Sequence, residues 1–156
     1  MKHSKYNPDR FTRRSIRLPD RDYTSASAHF VTIHADRHEP LFETPELRKI
    51  LEDNWKALPD RFSTVELDEF VIMPDHIHFI LWLNNKQKDA PTLGRVVGAY
   101  KSLTAVAWLR HIKSNNMECS GRIWQGNFYE RIIRISELEK TRAYIRNNPT
   151  KQKGTH

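Results

Sequence analysis

The sequence contains a single cysteine, Cys119, and no long run of apolar residues. One cysteine excludes both a disulfide-stabilised scaffold and a zinc finger. No stretch is long and apolar enough to cross a bilayer, and no signal peptide is recognisable, so we expect a cytoplasmic protein with no membrane partner. Internal repeats and low-complexity segments are also absent. The 156 residues therefore predict one domain with one hydrophobic core.

Acidic residues are outnumbered, and the two signs of charge are unevenly distributed. The formal net charge is +7. Residues 1–28 carry 7 Lys/Arg against 3 Asp/Glu, residues 36–70 carry 5 against 10, and residues 71–156 carry 14 against 6. An acidic segment thus separates a basic N-terminal arm from a basic C-terminal half. This asymmetry favours a surface that binds a polyanion such as nucleic acid.

Two histidines separated by one residue are the most informative local feature. His76 and His78 follow the turn formers Pro74 and Asp75 and lead into an apolar segment, residues 79–83. On a strand the two side chains share a face about 6.5–7 Å apart, which suits two imidazoles binding one metal ion. A packed, hydrogen-bonded pair without metal is the alternative. A histidine-triad hydrolase would need a third histidine where Ile80 stands.

The order of predicted elements indicates an α+β fold. Thr44 and Thr92 are predicted to cap the first two helices, and residues 77–83, apolar on both faces, read as a central strand. The order predicts a ferredoxin-like split βαβ antiparallel sheet with helices on one face, with the first and third strands central. The predicted strands are His29–His34, Val65–Met73 joined by a hairpin to residues 76–83, and Trp124–Arg134. The predicted domain spans residues 28–152, between a basic arm (1–27) and a tail (153–156).

A final helix is predicted from Ser136 to Asn148. Ser136 and Glu139 form a capping-box pattern, and Pro149 disfavours helix at the residue before it. Tyr144 and Asn148 are four residues apart and therefore share a face, while Leu138, Thr141, Arg142 and Ile145 are predicted to face the sheet. This C-terminal helix could place a phenol and an amide oxygen near the histidines. A purely structural tyrosine is the alternative.

Three motifs together carry a family resemblance. Val71–His78, then Trp124 and Gln125 with Phe128–Glu130, then Tyr144–Pro149 occur in one order and spacing. Over residues 28–152 the chain resembles the single-tyrosine HUH transposases, and within them the bacterial REP-associated tyrosine transposases. The resemblance implies a bacterial, nucleoid-associated enzyme of DNA transposition that cuts and rejoins single-stranded DNA containing hairpins.

The resemblance also implies the site residues. His76, His78 and Asn148 match the ligands of Mg²⁺ or Mn²⁺, and Tyr144 matches the nucleophile that forms a 5′-phosphotyrosine intermediate. A phenol, with an ordinary pKa of about 10, is a poor nucleophile at neutral pH, so a metal that polarises the phosphate is expected. Members of the superfamily are either dimers with the tyrosine helix exchanged or monomers with it folded back, so a homodimer is possible.

Further residues are candidates for binding DNA. The predicted phosphate contacts are Arg95, Lys101, Arg131, Arg134, Lys140 and Arg146, with Arg13 and Arg14 in the arm. Trp124 and Phe128 could stack on unpaired bases or pack in the core. Tyr100 lies on an apolar helix stripe and is predicted to be core, whereas Tyr129 could stack on a base or fill the sheet. Solvated surface charges are the alternative for each basic residue.

Two other functions remain open at the level of sequence. A non-catalytic protein that binds DNA hairpins would need the basic surface but neither the tyrosine nor the metal ligands. A metal-dependent nuclease would need the ligands and an activated water, but no tyrosine. A transposase would need Tyr144, whereas a nuclease that activates water would not. Both enzymes would need His76, whereas the binding protein would not.

Overall fold

Four antiparallel strands form one sheet in the order β2-β3-β1-β4. A computed structural model describes residues 26–84 and 89–154, with the backbone alone for residues 149–154. The strands are β1 (Ala26–His34), β2 (Val65–Ile72), β3 (His76–Asn84) and β4 (Tyr129–Ile133). The helices are α1 (Pro45–Lys56), α2 (Leu58–Arg61), α3 (Leu93–Ser114) and α4 (Leu138–Gly154). This order confirms the split βαβ arrangement, with β1 and β3 at the centre.

One face of the sheet packs against α1 and α3. Thr44 occupies the N-cap position of α1 as predicted, but its side chain makes no capping hydrogen bond, whereas the Thr92 side chain caps α3 by accepting a hydrogen bond from the Arg95 amide. Each fully buried aliphatic side chain here stabilises the fold by about 1.5–3 kcal/mol. The helix residues buried against this face are Leu47, Leu51, Trp55, Val96, Val97 and Tyr100.

The other face of the sheet packs against α4. Its smaller apolar cluster joins Phe30 of β1 and Trp82 of β3 to Leu138 and Ile145 of the helix. The predicted inward side of the C-terminal helix is confirmed, because Leu138, Thr141, Arg142 and Ile145 are all buried. Because successive side chains of β3 point to opposite faces, His76 and His78 share this same face. The C-terminal helix therefore covers the histidine side of the sheet.

The predicted fourth strand, Trp124–Arg134, was too long. The strand begins only at Tyr129, and Trp124 makes an isolated bridge with Ala35. The Lys101 ammonium donates to the carbonyl oxygens of Gln125 (2.8 Å) and Gly126 (3.3 Å). Gly126 disfavours a strand at this point. The carbonyl oxygens of Gln125 and Gly126 bind Lys101 instead of a neighbouring strand, so the β-ladder is interrupted here.

Both predicted ends of the final helix were also wrong. A 3₁₀ turn, Ile135–Glu137, takes up Ser136, and α4 starts at Leu138. The helix continues past Asn148 and Pro149 to Gly154. A proline disfavours helix at the preceding residue without forbidding it. The buried side chains earlier in the helix hold it against the sheet, and the helix continues through Pro149.

Two remaining expectations concern the N-terminal arm and membrane-spanning segments. Residues 1–25 of the predicted arm, with Arg13 and Arg14, lie outside the described residues. In the portion that is described, no helix has both the length and the apolar character needed to span a membrane.

Candidate active site

His76 and His78 lie at the start of β3, directly after the turn that joins it to β2. The Met73 amide donates to the His76 carbonyl oxygen (2.8 Å) and closes the turn through Pro74 and Asp75. The ring centroids of His76 and His78 are 4.6 Å apart, and His78 is 8% exposed. The sequence predicted this shared face, and the structure places both imidazoles on it.

Each imidazole has a fixed partner at Nδ1. The Asp75 carboxylate lies 2.6 Å from Nδ1 of His76, and the Thr32 hydroxyl lies 2.8 Å from Nδ1 of His78. With the proton on Nδ1, each ring donates to that oxygen and presents the Nε2 lone pair. Histidine ligands of metals are typically oriented by such a second bond. The donor chemistry therefore fits a divalent metal bound through Nε2.

Burial keeps His78 in the neutral form that binds metal. Desolvation, followed by the nearby His76 and His34, lowers the pKa of His78 to about 4. The pKa of His34 is lowered in the same way, by its burial and then by His76 and His38. An uncharged imidazole has its lone pair available at neutral pH, so proton competition for His78 is weak.

A metal bound by the two histidines would need a further ligand. Across residues 26–84 and 89–154, no three His, Cys, Asp or Glu side chains form a group that could hold a metal ion. An amide oxygen is a suitable hard ligand for Mg²⁺ or Mn²⁺. Half-buried Asn148, one helical turn after Tyr144, remains the predicted third ligand.

Tyr144 lies against His78 of its own chain. Its ring centroid is 5.8 Å from that of His78 and 6.2 Å from that of Phe30. Phe30 in turn stacks on His78 at 5.3 Å. Tyr144 nevertheless remains 47% exposed, so its ring is held by aromatic neighbours while accessible to a substrate. The C-terminal helix thus brings phenol and imidazoles together without a second chain.

Tyr100 and Tyr129 differ in burial. Tyr100 is buried and its hydroxyl donates to the Leu51 carbonyl oxygen (2.9 Å), so the predicted core role is confirmed. Tyr129 is 56% exposed and does not fill the sheet. It pairs in register with Thr32, which pairs with His78 on the other side. Tyr129 therefore lies on the histidine face, two strands from His78.

Several predicted DNA contacts have partners within the protein. Arg146 donates to Glu69 (2.8 Å), and the ammonium of Lys101 bonds the two carbonyl oxygens described above. The Trp124 indole donates to Thr104 (2.9 Å) and packs against core rings, and Phe128 is partly buried against the same cluster. These contacts favour structural roles for Trp124 and Phe128.

The exposed arginines and lysine are better placed for phosphates. Arg131 lies 5.4 Å from the Phe30 ring centroid and 3.6 Å from the Glu137 carboxylate. Arg95, Arg134 and Lys140 are also exposed. Their contribution to DNA binding stays a prediction.

Sequence reasoning missed the residues that orient the histidines. Asp75 is adjacent to His76, so a carboxylate next to a candidate ligand was a usable signal. Thr32 and Phe30 reach His78 only through the β1–β3 register, which pairs Thr32 with His78. A contact across 46 positions leaves no local trace in the sequence.

Comparisons with known proteins identify relatives of this chain. A family model described as IS200-like transposase matches residues 22–148. An uncharacterised Haemophilus influenzae protein is 31% identical over 173 residues, covering 94% of this chain and 93% of the relative. Among solved structures, a REP-associated tyrosine transposase bound to a REP hairpin matches with a TM-score of 0.59 and 20% identity, covering 81% of this chain and 68% of that one. A candidate transposase from Deinococcus radiodurans matches with a TM-score of 0.55 and 18% identity, covering 81% and 94%.

Proposed function

The chain belongs to the IS200-like transposase family, and from that membership we propose that it cuts and rejoins single-stranded DNA with Tyr144 as the nucleophile. The observation that carries the proposal is the contact of the Tyr144 ring with His78, at 5.8 Å between centroids. A tyrosine retained only for packing would be expected to be buried, whereas this one is 47% exposed beside a candidate metal pair.

The proposed cleavage is a transesterification. The Tyr144 hydroxyl oxygen bonds to the scissile phosphorus while the bond from phosphorus to the 3′-oxygen breaks. The phenol loses a proton and the departing oxygen gains one, so the products are a 5′-phosphotyrosine and a 3′-hydroxyl. One phosphate ester replaces another, and the 3′-hydroxyl of a second strand can reverse the step without ATP.

The protein's part is to position the reacting groups. Phe30 and His78 hold the Tyr144 ring, and Asp75 and Thr32 hold the imidazoles. His76 and His78 would hold Mg²⁺ or Mn²⁺ through Nε2, with the amide oxygen of Asn148 as the third ligand. A divalent cation there polarises the phosphate and offsets the charge that develops on it. Fixing nucleophile and phosphate in one geometry supplies much of the acceleration of such a reaction.

We further propose that the substrate strand crosses the histidine face toward β4. Neighbouring strands are about 4.8 Å apart, which puts the backbone of Tyr129 about 10 Å from that of His78. The exposed Tyr129 ring can stack on a base, and Arg131, two residues on along the same face, can hold a phosphate. Hairpin-containing DNA is the proposed ligand, since the solved transposase with the same fold is bound to a REP hairpin. The remaining predicted contacts are Arg95, Lys101, Trp124, Arg134, Lys140, Arg146, Arg13 and Arg14.

A homodimer is not required by this arrangement. Tyr144 and His78 meet within one chain, so a monomer already contains the nucleophile and the histidine pair. We therefore propose that cleavage itself needs one chain, whereas joining two DNA ends could engage two.

The test is a denaturing gel of purified protein with labelled single-stranded hairpin oligonucleotides and Mn²⁺. We expect a covalent protein–DNA band in wild type that is absent in Tyr144→Phe. Tyr100→Phe is the matched control, because it removes a hydroxyl remote from the site and should keep the band. His76→Ala should abolish cleavage.

Other results would assign another function. Cleavage that persists in Tyr144→Phe without an adduct would indicate a nuclease that activates water. Tight hairpin binding without any cleavage, unchanged in His76→Ala, would indicate a non-catalytic DNA-binding protein.

A further inference from the structure

Two consecutive acidic residues of β2 both contact the tyrosine helix. The β2–β3 register runs from Leu67↔Leu81 to Phe70↔Phe79, so Asp68 and Glu69 together oppose Ile80. Consecutive residues of a regular strand face opposite sides, and this β-bulge is what allows both carboxylates to reach α4. The bulge therefore places two neighbouring carboxylates against the helix.

Asp68 and Arg142 form a buried ion pair with several bonds. Arg142 donates from Nε (2.9 Å) and Nη2 (2.7 Å) to the two oxygens of the Asp68 carboxylate. Trp82 donates to the same carboxylate (2.9 Å), and each charged side chain is about 2% exposed. Burial opposes the charge of Arg142, but Asp68 and then Glu139 outweigh it and raise the pKa of Arg142. The pair is therefore held by directional hydrogen bonds from two nitrogens of one guanidinium.

A second, weaker pair lies one helical turn further on. Arg146 donates to Glu69 (2.8 Å), and its side chain is 36% exposed. Arg142 and Arg146 are four residues apart, so both contact the same strand from one side of the helix. Tyr144 lies between them in sequence and points away toward His78.

We propose that the Asp68–Arg142 pair is a positioning device that sets the rotation and height of α4, and thereby the place of Tyr144. The inference rests on the proposed function of Tyr144. Apolar contacts through Leu138 and Ile145 are non-directional and tolerate small rotations or slips of the helix. A forked pair with two parallel bonds specifies one orientation, and a buried pair off register would leave a charge unpaired.

A small displacement of Tyr144 should lower the reaction rate strongly. A displacement of about 1 Å can lower a rate about 100-fold. We expect folded Arg142→Met to form the phosphotyrosine adduct about 100-fold more slowly at saturating DNA. Its affinity for a hairpin oligonucleotide, measured at saturating Mn²⁺, should stay within threefold of wild type, because Tyr129 and Arg131 lie on β4 rather than on α4. Loss of rate without loss of DNA binding separates positioning from general damage.

Two further variants keep the test interpretable if Arg142→Met folds poorly. Asp68→Asn/Arg142→Met removes the stranded charge and keeps an acceptor for Trp82, so it should restore folding but not the rate. Glu139→Gln is the matched control: it removes the exposed partner of Arg142, leaves Asp68 in place, and should react within threefold of wild type.

A readout independent of activity completes the experiment. In wild type we expect nuclear Overhauser contacts between the rings of Tyr144 and His78, and in both Arg142 variants we expect their intensity to fall clearly, because it depends steeply on distance. Contacts of unchanged intensity, or adduct formation within threefold of wild type in a folded Arg142→Met, would overturn the inference. If wild type forms no adduct but the ring contacts still depend on Arg142, the proposed function fails while the positioning role stands.

Discussion

Replacing Arg142 by methionine should loosen α4 specifically. Methionine keeps a long side chain but leaves the Asp68 carboxylate, which is about 2% exposed, with the Trp82 indole as its remaining donor among the described residues. Breaking one partner of a buried ion pair typically costs about 3–5 kcal/mol. The surviving bond from Trp82 places the expected loss near the lower bound, at about 3 kcal/mol. One tenfold change corresponds to about 1.4 kcal/mol, so α4 should open about 100-fold more often.

Native-state hydrogen–deuterium exchange with mass spectrometry measures this opening. Peptides from residues 138–148 should exchange about 100-fold faster in Arg142→Met, while peptides from α3 serve as the internal reference. Arg146→Met is the matched comparison. Its pair with Glu69 is partly exposed, so we expect a loss of at most about 1 kcal/mol, a fivefold change. Equal acceleration in the two variants, or equal acceleration of α3 and α4, would refute the reasoning.

Three further expectations follow from the same contacts. Thr32→Val should weaken Mn²⁺ binding 10- to 100-fold in calorimetry, because His78 loses the partner of Nδ1; unchanged affinity would contradict the orientation of that ring. Burial raises the pKa of Glu69 to about 7, above its ordinary 4.5, even though Arg146 opposes the shift. The ionised form therefore destabilises the fold above pH 7, and the stability of wild type relative to Glu69→Gln in urea unfolding should rise from pH 8 to pH 5; a constant difference argues against it. Tyr129→Ala should weaken single-stranded DNA binding by about 1–3 kcal/mol in fluorescence anisotropy, with Tyr129→Phe near wild type; equal losses would point to the hydroxyl instead of stacking.

Local patterns predicted the sheet and the histidine face well. Alternation along residues 76–83 is a property of any strand, so it assigned His76 and His78 to one side regardless of the partners. Thr44 and Thr92 both occupy the N-cap positions that their sequences predict, and of the two Thr92 makes the capping hydrogen bond within the first turn of its helix. The inward side of α4 followed from helical spacing alone, and the structure buries Leu138 and Ile145 there.

Contacts that depend on register were not predictable. Arg146 is basic and close to Tyr144, which favoured a phosphate contact, yet its partner Glu69 is 77 residues away in sequence. The bulge at Asp68 shifts one strand relative to the next by a single residue, and no residue type marks it. Trp124 reads as a strand residue in isolation, but the bond from Lys101 to the following backbone ends the ladder.

The two faces of the sheet differ in how they hold their helices, and the difference suits their roles. Against α1 and α3 the contact is mainly an extended apolar cluster, which stabilises with little demand for one orientation. Against α4 the apolar cluster is smaller, and a buried ion pair adds direction at the expense of desolvating two charges. A hydrophobic pair of similar volume would often hold a helix as firmly. Stability alone therefore does not explain Asp68 and Arg142, whereas the proposed need to hold the Tyr144 ring at a fixed distance from His78 does.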